Sequence, residues 1–377
     1  MAQDPAKKLA SLRSKLDRVD EKLCDLVAER LVLAADVARL KAESGAPLFH
    51  RDREEALVHA RRESGRVRGV DPELTEDIFR RLILESHKWQ STIIRETKAV
   101  EPRRIAVIGG HGGIGSFFVR FLESQGHEVL ISDLDTDLSA EDAASEAEVV
   151  IVSVPIKATQ EVIERVGPKV DPTGLLMDVT SLKQFPVRAM LEHSECEVIG
   201  AHPMFGPSAG SIHRQVIALC PARGELWLGW LKEVLLTQGA ELVECTPEEH
   251  DRAMAAIQVL RHAATMAFGR TLRDLGVDID DSLRYSSPIY RLELMMTGRL
   301  FGQDPELYAD LGLGNENRAA VADAMEAATR EIAEIVRSGD RERFLAEFGQ
   351  IASYFDGYSE RALEQSSALI ERMVERM

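Results

Sequence analysis

"IAVIGGHGGIGSFFVRFLESQGHEVLISD", residues 105–133, is the stretch whose reading decides the fold. An apolar run breaks at paired glycines, a helix-length segment follows, and a second apolar run ends on Asp133. Gly110, Gly112 and Gly115 stand at G-x-G-x-x-G spacing. A strand that turns into a helix over glycines leaves backbone N–H groups at the positive end of the helix dipole, where a pyrophosphate can approach closely. An acid closing the next strand can accept hydrogen bonds from ribose hydroxyls. Strand, loop, helix and acid together make Gly110, Gly112, Gly113, Ile114, Gly115 and Asp133 candidate ligands of a dinucleotide. A carboxylate at that position repels a 2′-phosphate, so NAD is expected rather than NADP. His111, inside the loop, carries no assigned role.

Downstream, VVIVSVP, GLLMDVT and EVIGAHP alternate with helix-length segments, the pattern of a parallel sheet with crossover helices. Residues 102–203 are read as this Rossmann-type domain. In such a sheet, ligands lie beyond the carboxyl ends of the strands. Ser153, Val154 and Pro155, then Ser181, then His202 fall at those ends. The segment after His202, PMFGPSAG, fixes the backbone with two prolines and two glycines while burying little. A strand-end histidine is more often a satisfied turn or core group than a catalyst, so the position alone decides nothing.

The rest of the composition narrows the class. A net charge of −17 over 377 residues argues against general nucleic-acid binding, though a locally positive pocket could still hold a small anion. The N-terminus lacks the apolar segment of a signal peptide, and no run of about 18 apolar residues appears. Cys24, Cys196, Cys220 and Cys245 show no C-x-x-C spacing, so reduced thiols and no structural metal are expected. These features imply a cytoplasmic, metal-independent protein with no membrane partner.

Residues 7–97 read as helices only. Leu12, Leu16, Val19, Leu23, Leu26, Leu33, Val37 and Leu40 form a heptad seam that stops at Ser44-Gly45-Ala46-Pro47. A second helix is expected from near Arg51, and a third from Asp71-Pro72-Glu73, a cap followed by proline at the first helical position. A first helix this long exceeds what a three-helix unit can cover, which points to a homodimer. Arg30 stands at a core position between Leu26 and Leu33, where an unpaired charge is costly. Lys41, 11 residues on, lies about 20° around the helix and so on the same face. Ser86 and Gln90 share the apolar side of the third helix. The spacing builds a polar, positive pocket in a helical core, or else a set of contacts that specify coiled-coil pairing. From about residue 224 helices return, over 247–275, 282–301, 315–338 and 340–376, apart from a short ELVEC run. Arg291 and Arg299 lie in YRLELMMTGRLF, apolar on nearly every side, where an arginine needs an anionic partner, a ligand or an internal glutamate.

HPMFGP following the glycine loop, with SSPIYRLEL-x4-GRLF further on, resembles the bifunctional chorismate mutase–prephenate dehydrogenases of bacterial tyrosine biosynthesis, in order along nearly the whole chain. The resemblance implies an all-helical mutase domain (1–97), the Rossmann domain (102–203) and a mainly helical substrate and dimerisation domain (204–377). It implies that chorismate is rearranged to prephenate, and that prephenate is oxidised by NAD to 4-hydroxyphenylpyruvate and CO2. His202 matches the family's catalytic histidine, and Ser181 a serine that bonds the same ring hydroxyl. Arg299, and beside it Arg291, match the recognition of a carboxylate. His262, with Gln258 four residues before it, falls near the substrate's other end or a tyrosine effector. In the mutase, Arg30, Arg53 and Arg13 from the partner subunit match the carboxylate end. Lys41 and Gln90 match the ether oxygen, Glu54 the ring hydroxyl, and Ser86 a further substrate contact. His50 stands where some relatives carry an acid. Two alternatives stay open: arogenate as the oxidised substrate, and N-terminal helices that serve only as a dimerisation or effector module.

Overall fold

The computed structural model describes residues 5–44, 51–97 and 101–374. The described residues form two compact bodies: one from Met1–Ser153, Arg165–Val179 and Ser194–Glu244, the other from Val154–Glu164, Thr180–His193 and Cys245–Met377.

In the first body, α1 (Pro5–Ser44), α2 (Arg51–Val67) and α3 (Pro72–Thr97) pack as a helical layer, with α3 against both others. The third helix starts where its cap signal stands: an Asp71 carboxylate oxygen accepts the Glu73 N–H at 2.8 Å, meeting one of the donors every helix start leaves open. Gly45, Ala46, Pro47 and His50 lie outside the described residues. Most of the heptad seam of α1 does not pack on its own neighbours, although Leu33 and Val37 line the space between the three helices. Its eight leucines and valines are 45–65% exposed, while the small Ala35 and Ala38 are buried with Ile93 of α3. Arg30 therefore belongs to the face packed on α3, and the leucine seam is left over.

A seven-stranded sheet follows. Its elements run β1 (Arg104–Ile108), α4 (Gly113–Ser124), β2 (Glu128–Ser132), α5 (Ala140–Glu146), β3 (Val149–Val152), α6 (Ile156–Val166), a 3-10 turn over Gly167–Lys169, and β4 (Leu175–Asp178). They continue with α7 (Gln184–His193), β5 (Glu197–Pro203), β6 (Val216–Arg223), α8 (Leu226–Thr237) and β7 (Glu241–Glu244). Strand order is β2-β1-β3-β4-β5-β6-β7, parallel throughout except that β6 runs antiparallel to β5. β1 has β2 on one side and β3 on the other, so the chain reverses its winding there, and the crevice at that switch point is where such sheets bind ligands. Ile105, Val107, Val149, Ile151, Leu175, Met177, Ile199 and Leu219 form a dry core with Phe117 and Phe118 of α4 and Trp227 of α8. The sheet does not end at residue 203. VIALCPAR, β6, extends it with eight residues and no crossover helix, and an antiparallel return strand lacks the strand–helix alternation by which the others were recognised.

The second body is helical and takes in most of α6 and all of α7, together with α9 (Pro247–Met254), one π-helical stretch over Ala255–Leu260, α10 (Arg261–Asp274), α11 (Ile279–Arg284), α12 (Pro288–Phe301), α13 (Pro305–Gly314), α14 (Arg318–Ser338), α15 (Arg341–Tyr354) and α16 (Ser359–Val374). The helix expected over 340–376 is two, parted at Gly357, whose φ of 71° lies in the left-handed region. Asp251 ties this body together. Its carboxylate accepts the N–H groups of Lys183 and Gln184 at the start of α7 and the ring of His250, while its carbonyl accepts from the Asn315 amide. His250 is thus a buried structural partner. No described helix is long and apolar enough to cross a membrane.

A Cβ on Gly115 would run into the Gly109 carbonyl oxygen, so α4 can approach β1 this closely only through glycine. Gly115→Ala should therefore destabilise the sheet domain by about 1–3 kcal/mol. The measurement is a thermal melt, in which an unchanged midpoint would show that the loop absorbs the methyl freely.

Candidate active sites

A cavity of about 270 Å³ opens between the three N-terminal helices. α1 lines it with Arg30 and Lys41, α2 with Arg53 and Glu54, and α3 with Ser86, His87 and Gln90, over an apolar floor that includes Leu33 and Ile83. The polar face inferred from spacing is one pocket. Arg30 donates to the Leu82 carbonyl at 2.9 Å and to the Ser86 hydroxyl, which passes its own proton to Leu82 at 2.7 Å. That arrangement fixes the guanidinium and leaves other N–H groups of its five free to face the cavity. Among the described residues Arg30 has no carboxylate partner. Burial, then the neighbouring Arg61, pulls its pKa below the ordinary value. Burial, then Arg53, does the same to Lys41, against the opposing pull of Glu54. Gln90 gives one amide hydrogen to the Ala34 carbonyl at 3.2 Å and keeps its second. Three cations therefore face one carboxylate, the balance expected of a pocket for a dianion. Arg13 lies outside this pocket, exposed on the same helix.

Glu54 itself is already engaged. One carboxylate oxygen lies 3.0 Å from His87 Nε2, and the other accepts from the Arg214 guanidinium at 3.0 Å. His87 Nδ1 in turn lies 3.0 Å from His213 Nε2, the two rings meeting edge to face. Burial alone would raise the Glu54 pKa, but the hydrogen bond from His87 and the charges of His87 and Arg214 hold it below the usual carboxylate value. Burial, helped by His87 and Arg214, lowers His213 to about 4. Sequence reasoning missed His87, His213 and Arg214. His87 follows Ser86 directly, about 100° off the face that periodicity marks, and the other two lie in an irregular loop.

At the end of β1, Gly109 adopts φ 83° and donates to Ser132 at 2.7 Å, starting the turn into α4, whose N-cap is Gly112. Side chains at Gly110 and Gly115 would collide with Ile131 and with the Gly109 carbonyl, so the loop is a bare backbone cradle at a helix start. Ile114 packs against the sheet core, and Ser153, after β3, donates to the Ile108 carbonyl at 2.8 Å. Asp133 is drawn onto the same loop: its two carboxylate oxygens accept the N–H groups of His111 and Leu134, each at 2.8 Å. Each oxygen keeps a second lone pair for a ribose hydroxyl. The His111 ring turns away to Asp135, 2.7 Å off, at the surface. These residues fit a dinucleotide.

His202 sits on β5 opposite Ala218 of β6, 4% exposed. The segment after it folds back over the cofactor loop: Phe205 meets Phe117 of α4 edge-on at 5.2 Å, and Pro207 lies where a Cβ on Gly113 would touch it. The prolines and glycines around His202 thus dock one strand end against the dinucleotide cradle.

The remaining dehydrogenase candidates belong to the helical body. Val154 and Pro155 precede α6, where the Pro155 carbonyl accepts from Ala158 and Thr159. Ser181 is half-buried ahead of α7. Arg291 donates to the Leu283 carbonyl at 2.6 Å. Arg299 is exposed and enters no ion pair among the described residues, and α12 buries only Thr297 and Leu300. The expectation that Arg299 is buried fails for a physical reason: the apolar sides of α12 face outwards in a single chain. His262 packs edge-on to Tyr308 at 4.8 Å, and its Nδ1 is buried with no hydrogen-bond partner among the described residues. Burial and Arg261 lower its pKa. Gln258 lies in the π-helical stretch just before it, a backbone form that recurs at functional sites.

A positive helical pocket and a glycine-cradled Rossmann sheet on one chain define a two-site protein, one site suited to a small anion and the other to a dinucleotide. Residues 12–91 match the family of type II chorismate mutases, 123–244 the nucleotide-binding domain of prephenate dehydrogenase, and 246–350 its dimerization domain. The T-protein of Enterobacter agglomerans is 38% identical over 96% of this chain and 97% of its own length. That of Haemophilus influenzae is 37% identical over 97% of each. The chain belongs to the T-protein family of bifunctional chorismate mutase–prephenate dehydrogenases. It converts chorismate to prephenate and prephenate to hydroxyphenylpyruvate, in tyrosine biosynthesis. The sheet and helical region share their fold with prephenate dehydrogenase from Aquifex aeolicus, solved with hydroxyphenyl propionate and NAD+ (TM-score 0.54, 19% identity, 69% of this chain and all of that one).

Because Arg299 is exposed and unpaired, Arg299→Ala should change stability by less than about 0.5 kcal/mol. A raised KM for prephenate in that variant, measured beside an unchanged melting midpoint, marks the arginine as a ligand contact; an unchanged KM removes it from the site.

Proposed function

We propose that the N-terminal cavity is the mutase site and that the crevice beside His202 holds the reacting ring in the dehydrogenase. What carries the mutase half is the excess of cations in an open helical pocket whose Arg30 has no carboxylate partner among the described residues. The rearrangement is pericyclic and needs no nucleophile, so the residues act by positioning and by stabilising charge on the breaking ether bond. Arg30 and Arg53, with Arg13 of the partner subunit, hold the carboxylates; Lys41 and the second amide hydrogen of Gln90 meet the ether oxygen; Glu54 accepts the ring hydroxyl; Ser86 braces Arg30. The alternative of a non-catalytic helical module leaves that set without a purpose.

In the dehydrogenase, Gly110, Gly112, Gly113, Ile114, Gly115 and Ser153 form the dinucleotide cradle, with Asp133 reading the ribose; Val154 and Pro155, next along the chain, enter as cofactor contacts through the family resemblance. NAD, when bound, supplies the hydride acceptor. His202 takes the proton of the ring hydroxyl as that carbon becomes carbonyl-like, and departure of CO2 returns electrons to the aromatic product. Ser181, Arg299, Arg291 and His262 enter through the family resemblance, as hydroxyl partner, carboxylate partners and pocket wall. Tyrosine, which shares the product's ring, would act as an effector near His262 and Gln258. The protein works in the cytoplasm as a homodimer, supported by its free thiols, its dimerization domain and the exposed seam of α1. Residues 1–97 make the mutase domain, the sheet through Glu244 the dinucleotide domain, and the helices beyond it the dimerisation domain.

His202→Asn keeps side-chain volume and hydrogen bonding but cannot carry the proton. Dehydrogenase kcat should fall by roughly 10²–10⁴-fold while mutase turnover stays intact; wild-type kcat in the variant would end the proton-acceptor role. The wild-type chain should also prefer NAD strongly to NADP, and Asp133→Ser should narrow that preference. Steady-state kinetics with both cofactors measure it, and equal use by the unmodified protein would exclude the assignment.

A further inference from the structure

We propose that His213 and Arg214, carried by the dehydrogenase sheet, are positioning residues for the mutase reaction, holding the Glu54 carboxylate in the N-terminal pocket. The inference rests on the reading of Glu54 as the acceptor of the ring hydroxyl. Both residues lie in the loop between β5 and β6, outside the three helices that line the cavity. Arg214 reaches one oxygen of Glu54 directly, at 3.0 Å, and His213 reaches the other through His87 in two steps of 3.0 Å.

The backbone is adapted to this reach. Arg214 is the one described residue other than glycine with a positive φ, 58°, a conformation that a long side chain rarely adopts and that tends to persist where surrounding structure enforces it. Its N–H is pinned to the Gly239 carbonyl at 2.7 Å, so the turn belongs to the sheet domain while the guanidinium serves the helical one. A mere surface ion pair would be a poor reason for such a backbone, since exposed pairs contribute little. Here the acceptor is not exposed: the Glu54 side chain is 15% accessible and faces the cavity, whereas Arg214 approaches from outside at 49%.

The protons fit the same assignment. A neutral His213 can donate from Nε2 to His87 Nδ1. His87 then carries its own proton on Nε2, the atom beside Glu54. The groups facing Glu54 are Lys41 of α1, Arg53 on its own helix, His87 of α3, and His213 and Arg214 of the loop. Lys41 and Arg53 are needed for substrate, so the loop supplies the charge that keeps Glu54 ionised and aimed independently of the ligand.

The test uses the full-length chain. Asparagine tolerates the left-handed backbone, so Arg214→Asn removes the cation without adding strain. Mutase kcat should fall roughly tenfold or more with the chorismate KM little changed. The acid limb of mutase activity should move up by about one pH unit, because a lost neighbouring cation lets the carboxyl protonate earlier. Arg214→Lys should restore part of both, and His213→Phe, which keeps ring volume but cannot donate to His87, should lower kcat as well. Dehydrogenase kinetics and the melting midpoint should stay as in the wild type. Unchanged mutase kcat and pH limb in Arg214→Asn overturn the proposal, as does a loss matched by equal loss of dehydrogenase activity, which would make the loop a structural brace. Glu54→Gln separates the two readings. If it leaves mutase turnover intact, the hydroxyl role of Glu54 falls and the inference with it. If it lowers turnover while Arg214→Asn does not, only the inference falls.

Discussion

The antiparallel pairing of β5 with β6 sets His202 opposite Ala218 and Pro203 opposite Ile217, and the Met204 N–H continues the ladder to the Val216 carbonyl at 2.9 Å. The position of His202 and the course of the segment after it hang on that pairing. Between the two strands the chain must leave the sheet and return, and it uses the excursion twice. Its first half lays Phe205 and Pro207 on α4 and the glycine loop; its second half carries His213 and Arg214 to the helical pocket. A parallel strand would have needed a crossover helix here and could not have placed both ends of one short loop so near its neighbours. The single reversal in a parallel sheet is thus the feature that lets one connection reach both the glycine loop and the helical pocket.

Charge is arranged against the average of the chain. With a net charge of −17, the molecule repels anions at long range, yet its N-terminal pocket sets Arg30, Lys41 and Arg53 against Glu54 alone. The dehydrogenase loop does the same with less: it offers backbone N–H groups and a helix end in place of side-chain cations, and the nearest acid, Asp133, is held by the N–H groups of His111 and Leu134. Local hydrogen bonding decides in both cases, because screening at ordinary ionic strength confines the overall charge to distances of about 10 Å or less.

The legible parts of the sequence were those with a period or a steric necessity. The glycine loop was readable because only glycine fits against Gly109 and Ile131, and the pocket residues Arg30, Lys41, Ser86 and Gln90 because helical geometry forces equal spacing onto one face. The start of α3 was readable from its cap. What escaped has no period. β6 is a return strand unaccompanied by a helix, and the break at Gly357 is one residue in an otherwise helical run. Arg214 lies in an irregular loop, and neither its positive φ nor its reach to Glu54 leaves a mark in the sequence pattern. The exposure of Arg299 escaped for another reason: apolar neighbours imply burial, but not whether the covering surface comes from the same chain.

That last distinction runs through the whole molecule. The seam of α1 and the outward faces of α12 and α15 expose Leu23, Leu26, Met295, Phe301, Phe344 and Phe348 in one chain, far more apolar surface than scattered surface residues account for. The exposed seam and the pocket share a helix, since α1 presents Arg30 and Lys41 to the cavity and Leu12, Leu16, Leu23 and Leu26 to the outside. A second copy laid along that seam would shield the leucines, stiffen the helix that holds two of the three pocket cations, and bring its own Arg13 within the same helical layer. Association and pocket order would then be one equilibrium, in which substrate binding favours the dimer by mass action and dilution weakens both together.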